Sequence, residues 1–186
     1  VVAQIGDGGP LGVNVTYRFQ YKPDGVAGAL KLARDFVGEE PFAVILGDNV
    51  FQDVFPELEE SFIELQTYTK GKPTALIFLA ATDNPSSFGV PTIHAGKVVK
   101  ITEKPTDPDS NLAVTGLYVY DRTVWSMIDS LLPSARNEIE ITDVNNFYIK
   151  NGCLDYVMVP NAWADCGDIE ALMDTSILVR NNYAKN

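Results

Sequence analysis

Phe42-Ala43-Val44-Ile45-Leu46 is the stretch that most narrows what this chain can fold into. Five consecutive apolar residues have no polar face to turn to water, so they read as a strand buried on both faces of a parallel sheet. The run stops at Gly47, and Asp48 falls at the strand's carboxyl end, the edge of an open α/β sheet where ligands bind. A carboxylate there can hold a divalent cation, and a preceding glycine lets a phosphate approach the backbone. Gly-Asp-Asn is also ordinary turn chemistry, and the motif alone leaves both readings open.

The neighbouring segments decide what kind of sheet this is. Val13, Val15, Tyr17 and Phe19 alternate with Asn14, Thr16, Arg18 and Gln20, the pattern of a strand with one buried face. Tyr21-Lys22-Pro23-Asp24-Gly25 breaks it, with Asp24 a candidate helix cap, and Val26, Ala29, Leu30, Ala33, Phe36 and Val37 then recur at helical spacing. A second amphipathic helix is predicted over 55–68, with Phe55, Leu58, Phe62 and Leu65 as its buried stripe. A buried strand over 74–81 follows. Strand, helix, strand, helix, strand predicts a parallel sheet with helical crossovers.

The middle of the chain changes character. Residues 88–93, 98–102 and 114–120 read as consecutive strands with short polar links, which predicts an antiparallel section. Helices over 123–131 and 141–151 and a strand over 154–159 come next. Asp168 caps a last helix running to about residue 182, whose expected core stripe includes Ile169, Leu172, Met173 and Ile177. With no internal repeat and no linker, residues 1–186 are expected to form one domain. The fold class this implies is α/β, Rossmann-like, with a mixed, mostly parallel sheet and an inserted antiparallel part.

Charge narrows the partners. With 14 basic against 25 acidic residues the formal net charge is −11, so no basic patch is available to neutralise nucleic acid or a membrane surface. An anionic small ligand would need a metal ion or a few locally placed cations. No apolar run reaches transmembrane length and no signal-peptide pattern opens the chain. Cys153 and Cys166 suggest neither a disulfide framework nor a metal pair, so a soluble protein of a reducing, cytoplasmic compartment is expected. His94, the single histidine, falls in a turn and is assigned no chemistry.

Several motifs occur in one order along the chain. They are Gln20-x-x-Pro23-Asp24-Gly25, Leu46-Gly47-Asp48-Asn49, Phe88-Gly89-Val90 and Glu103-Lys104-Pro105. Val114-Thr115-Gly116-Leu117-Tyr118, Pro133-Ser134-Ala135-Arg136, Glu140-Ile141-Thr142-Asp143 and Trp163-x-Asp165-x-Gly167 follow. This series resembles the sugar-1-phosphate nucleotidyltransferases, most closely the glucose-1-phosphate thymidylyltransferases, over nearly the whole chain.

The resemblance implies a nucleotidyltransferase fold and a reaction. In it, a sugar 1-phosphate oxygen attacks the α-phosphorus of a nucleoside triphosphate, dTTP or UTP, and pyrophosphate leaves. Positioning and charge neutralisation carry such chemistry. By the same likeness Asp48 and Asp165 would jointly hold Mg²⁺, while Lys104 and Arg136 would bind the sugar phosphate. Glu103 would accept hydrogen bonds from sugar hydroxyls, Gly89 and Val114 would line the sugar pocket through their backbone, and Tyr118 would reach a hydroxyl or simply pack. Gln20 and Gly25 correspond to residues that read the pyrimidine edge. Trp163 reads as core with some pocket contact. Glucose 1-phosphate is the expected acceptor.

The family's glycine-rich Gly-x-Gly-Thr-Arg-Leu loop and the strand before it have no counterpart in Gly6-Asp7-Gly8-Gly9. Without that strand the edge of residues 42–46 is expected to pair with residues 13–20 or with a second copy of the chain, giving a homo-oligomer. Little turnover is expected of this chain alone. The alternative is a non-catalytic remnant that keeps the sugar-phosphate half-site and serves as a binding or assembling subunit, or a fragment whose missing front another polypeptide supplies.

Overall fold

The computed structural model describes residues 1–52, 74–160 and 162–183. Its main sheet contains β1 (Phe42–Ile45), β3 (Ala75–Ala81), β6 (Leu112–Tyr120) and β7 (Leu154–Met158), in the spatial order β1-β6-β3-β7. β6 runs antiparallel to both β1 and β3, and β3 runs parallel to β7. Three strands therefore point one way, with one reversed strand inserted among them. The mixed α/β architecture expected above forms, but only the β3–β7 ladder of the main sheet is parallel, because β6 stands between β1 and β3.

Alternation along β3 explains the core. Ala75, Ile77 and Leu79 face a cluster that includes Leu30, Val124, Ile128, Val144 and Tyr148. Leu76 and Phe78 turn the other way and meet Leu117 and Val119. The period of two sends successive side chains to opposite faces, and both faces are apolar because elements pack on each. The first cluster draws on α2 (Val26–Lys31), α4 (Val124–Ser130) and α5 (Ile141–Lys150). No helix among the described residues is long and apolar enough to cross a membrane.

Four sequence expectations need correction. β1 is not buried on both faces: it lies at the edge of the sheet, and Ile45 is 62% exposed. It is also separated from β3 by β6, so its neighbour is antiparallel. Residues 13–20 form no strand and pair with nothing in the sheet; Val13, Tyr17 and Phe19 are exposed. Alternation alone does not make a strand when no ladder accepts it.

The helix expected over 26–37 is two short pieces, α2 and α3 (Arg34–Val37). Leu32 and Ala33 donate to the carbonyls of Ala29 and Leu30, tightening the chain to three-residue turns at the break. In α6 (Ile169–Tyr183), Ile169, Leu172, Met173 and Ile177 are exposed and do not form a core stripe. The helix is rotated so that Ala171 and Thr175 face inward. The helix expected over 55–68 lies outside the described residues.

Two small ladders complete the frame. β4 (Gly89–His94) and β5 (Lys97–Glu103) form a hairpin closed by Ala95-Gly96, both at positive φ, with His94 paired to Lys97 at the strand ends. Two left-handed residues suit the twist of a tight hairpin turn. β2 (Asn49–Phe51) pairs antiparallel with β8 (Trp163–Asp165), a ladder joining distant parts of the sequence.

Candidate functional site

A cleft of about 640 Å³ opens where the chain leaves β1 at Leu46 and Asp48. Its walls come from β6, from the end of β5, from β8 and from the start of α6. Among the described residues its lining carries Asp48, Glu103, Asp165, Asp168 and Asp174 against the single cation Lys104. So acidic a cleft repels a bare phosphate unless a further positive charge enters it.

Asp48 and Asp165 are brought together by the β2–β8 ladder. Asn49 stands opposite Asp165 in the register, and the amide of Cys166 donates to the carbonyl of Asp48 at 2.7 Å. The Asn49 side-chain nitrogen, Nδ2, lies 2.9 Å from Asp48 Oδ1 and 3.5 Å from Asp165 Oδ2. Both carboxylates therefore sit within reach of one atom, on the same side of the molecule. Burial pushes the Asp165 carboxyl above the usual aspartate value, and the charge of Asp48 pushes it further. The amide of Gly167 donates to Asp165 Oδ1 at 3.0 Å and fixes its orientation.

No group of three or more acidic, histidine or cysteine side chains suited to a metal occurs among the described residues. Two hard carboxylates that repel each other in a partly buried acidic cleft nevertheless fit Mg²⁺. That ion is held through one or two carboxylates and fills its other positions with water and phosphate oxygens.

Lys104 follows β5 and lines the cleft with its backbone at φ 43°. A left-handed lysine is unusual, and the amide bond it donates to the Phe88 carbonyl at 2.9 Å helps hold it there. It forms no ion pair among the described residues. Glu103 lies opposite Gly89 in the β4–β5 register. Its carboxylate accepts from the Thr142 hydroxyl and from Arg136 at 3.1 Å. A side chain at Gly89 would press on Ile101 and on the Thr142 oxygen, both within 3.3 Å of its Cβ. Glycine there lets β4, β5 and α5 close up.

Val114 and Tyr118 line the same wall from β6. Tyr118 stacks on Tyr120, and its hydroxyl is pushed above the usual phenol value, first by burial and then by Glu103, Asp48 and Asp165. Trp163 is half-buried, meets Phe88 edge-on and contributes to the lining.

Three anticipated residues lie elsewhere. Arg136 does not line the cleft: its guanidinium meets both carboxylate oxygens of Glu140, at 3.1 and 2.7 Å, besides Glu103. The Glu140 hydrogen bond raises the guanidinium's own affinity for its proton. Burial pushes Glu140 upward, but the bonds from Arg136 and Ser134, with the charges of Arg136 and Lys104, hold it below the usual glutamate value. Gln20 donates to Asp24 at 2.7 Å and to the Gly25 carbonyl at 3.4 Å. Gly25 begins α2 at φ 92° with the Ile139 carbonyl 2.7 Å from where a Cβ would stand, so only glycine fits. Neither lines the cleft, although Val26 beside them does. Asp24 makes no side-chain capping bond to α2, whereas Asp168 Oδ1 accepts from the Ala171 amide at 2.8 Å and caps α6.

The sequence reading passed over Asn49, Thr142 and Asn145. All three line the cleft or cross-link its walls. Asn145 is buried; its Oδ1 accepts from Tyr120 at 2.6 Å, while its Nδ2 has no partner among the described residues. Their positions within Gly-Asp-Asn and Glu-Ile-Thr-Asp-Val-Asn were visible, but their partners are set by long-range packing.

This architecture is a Rossmann-like α/β sheet with an acidic cleft at its edge. The profile of the family described as nucleotidyl transferase matches residues 1–182. The glucose-1-phosphate thymidylyltransferase of Mycolicibacterium smegmatis is 40% identical over 179 residues, covering 95% of this chain and 60% of that protein. The low-salt glycan biosynthesis nucleotidyltransferase of Haloferax volcanii is 37% identical over 94% of this chain and 48% of its own length. A crystal structure from Bacillus anthracis, described as a glucose-1-phosphate thymidylyltransferase in complex with a sucrose, superposes with a TM-score of 0.86 at 44% identity, covering 96% of this chain and 70% of that one. UDP-glucose pyrophosphorylase complexed with UDP-glucose follows at TM-score 0.74 and 26% identity, covering 92% and 66%. The chain belongs to the nucleotidyl transferase family. It spans about 60% of the length of the thymidylyltransferases it matches.

Proposed function

We propose that the protein transfers a nucleotidyl group from dTTP or UTP to a sugar 1-phosphate, with glucose 1-phosphate the favoured acceptor and Mg²⁺ required. The observation that carries this reading is the pairing of Asp48 with Asp165 in a cleft whose lining offers Lys104 as its cation. Asp48 and Asp165 hold the ion, which when bound neutralises and orients the phosphates. Lys104 contacts the sugar phosphate as a point charge. Glu103, fixed by Thr142 and Arg136, accepts from sugar hydroxyls, and Gly89, Val114 and Tyr118 shape the sugar's side of the cleft.

Arg136 serves this scheme by orienting Glu103, since its guanidinium is held by carboxylates. Gln20 and Gly25, which do not line the cleft but adjoin its lining residue Val26, would read the nucleobase, and Trp163 would be a wall on the sugar's side. The same reading includes a cytoplasmic setting, where nucleoside triphosphates and Mg²⁺ coexist. It also includes a homo-oligomer, supported by the β1 edge, which has no strand partner beyond β6 among the described residues.

Separate calorimetric titrations of glucose 1-phosphate, dTTP and UTP, each with and without Mg²⁺, test the proposal. It expects saturable, Mg²⁺-strengthened binding of glucose 1-phosphate and of at least one nucleotide. Binding of the sugar phosphate with no nucleotide binding would favour a sugar-phosphate-binding subunit instead. Indifference to all three would defeat both.

A further inference from the structure

Asn49 is only 9% exposed, and all of its side-chain hydrogen-bonding atoms are used. Its Oδ1 accepts from the Gly116 amide and from the Trp163 indole, each at 2.7 Å. Its Nδ2 faces the two carboxylates, 2.9 Å from Asp48 Oδ1 and 3.5 Å from Asp165 Oδ2. One amide thus ties the middle of β6 and the start of β8 to the space between the two acids. Gly116 accommodates it: a Cβ at that position would lie 2.6–2.8 Å from the Asn49 amide atoms. The surroundings hold Asn49 on every side, so its donor end is fixed where it is.

We propose that Asn49 is a positioning residue for the cation: it clamps Asp48 and Asp165 at a separation suited to one shared ion, and by being an amide it withholds a third anionic ligand. This rests on the reading that those two aspartates hold Mg²⁺. Octahedral Mg²⁺ with oxygens near 2.1 Å has neighbouring ligand oxygens about 3 Å apart. An oxygen at the Nδ2 position would meet that spacing with Asp48 and come close to it with Asp165. Asparagine there orients the pair and leaves the ion's remaining positions to water and phosphate. Aspartate there would complete a cage that competes with the phosphates.

Two substitutions separate positioning from a merely structural role. Asn49→Ala removes both ends of the amide. Asn49→Asp keeps an acceptor for Gly116 and Trp163 while replacing the donor by an oxygen. Mn²⁺ and Mg²⁺ affinities are read on the full chain by calorimetry and Mn²⁺ paramagnetic resonance. The Trp163 indole and Gly116 amide proton resonances report whether the clamp is intact.

Asn49→Ala is expected to remain folded and to lose at least tenfold in metal affinity. Asn49→Asp is expected to keep both proton resonances near their wild-type positions and to gain at least threefold. Asn49→Asp binding metal as wild type does would overturn the proposal, and so would an unchanged affinity in a folded Asn49→Ala. If Asn49→Ala fails to fold, the Asn49→Asp affinity decides by itself. Asp48→Asn and Asp165→Asn are measured alongside. If they retain full metal affinity, the two-aspartate reading has failed and the proposal falls with it. If they lose affinity while Asn49→Ala and Asn49→Asp both bind metal as the wild type does, only the role of Asn49 is wrong.

Discussion

Asn49 and Asp165 stand opposite each other on the β2–β8 ladder, although 116 residues separate them in the chain. That pairing brings the carboxylate ending the first apolar run beside one from the far end of the fold. Every role proposed for the cleft depends on it.

Gly116 is where this arrangement is least tolerant of change. Gly116→Ala would place a methyl 2.6–2.8 Å from atoms of an amide that has nowhere to move. The expected cost is about 1–3 kcal/mol of stability from overpacking. Urea denaturation of the variant against the wild type measures it.

Lys104 gives a separation of binding from stability. Its left-handed backbone suits glycine, so Lys104→Gly recovers about 1 kcal/mol of conformational strain and gives back a similar amount in chain entropy. Stability should stay within about 1 kcal/mol of the wild type. Glucose 1-phosphate affinity should fall by about tenfold or more, the worth of one charge-assisted contact. Thermal melts and calorimetry on the same preparation check both parts.

Arg136→Gln tests the acidic network outside the cleft. The ion pairs lie at the surface, with the arginine side chain 41% exposed, so the loss at neutral pH should be below about 1 kcal/mol. Glu140 has a folded value below its unfolded one. Its contribution is therefore present above the ordinary glutamate range and disappears as pH falls through the lowered value. The variant should start lower at neutral pH and lose less than the wild type as pH falls, and the two curves should meet once Glu140 is protonated in both. Denaturation midpoints across an acidic pH series show whether they do.

Much of the fold was legible in the sequence, for reasons that can be named. β3, the β4–β5 hairpin, β6 and helices α4 and α5 follow from apolar runs and from periods of two or of 3.6. What could not be read was which strand lies beside which. β6 inserts between β1 and β3 through pairing over long sequence distances, and it leaves β1 as a half-exposed edge.

Residues 13–20 show the converse, a clear alternation with no ladder to join. Within the site, the residue types and their order pointed to Asp48, Lys104, Glu103 and Asp165, which the structure gathers around one cleft. Arg136 looked equally available in sequence. Glu138 and Glu140 follow it closely in the sequence, but nothing local shows that they converge on its guanidinium together with the distant Glu103. Asn49 was hidden for the same reason, since its partners come from β6 and β8.

Mn²⁺ affinity in a double-mutant cycle of Asp48→Asn and Asp165→Asn tests the central claim most directly. If the two carboxylates share one ion, either substitution alone should remove nearly all measurable binding, and the double variant should lose little more. Full Mn²⁺ affinity in either single variant, or two losses that simply add, would mean that these aspartates do not hold a common ion.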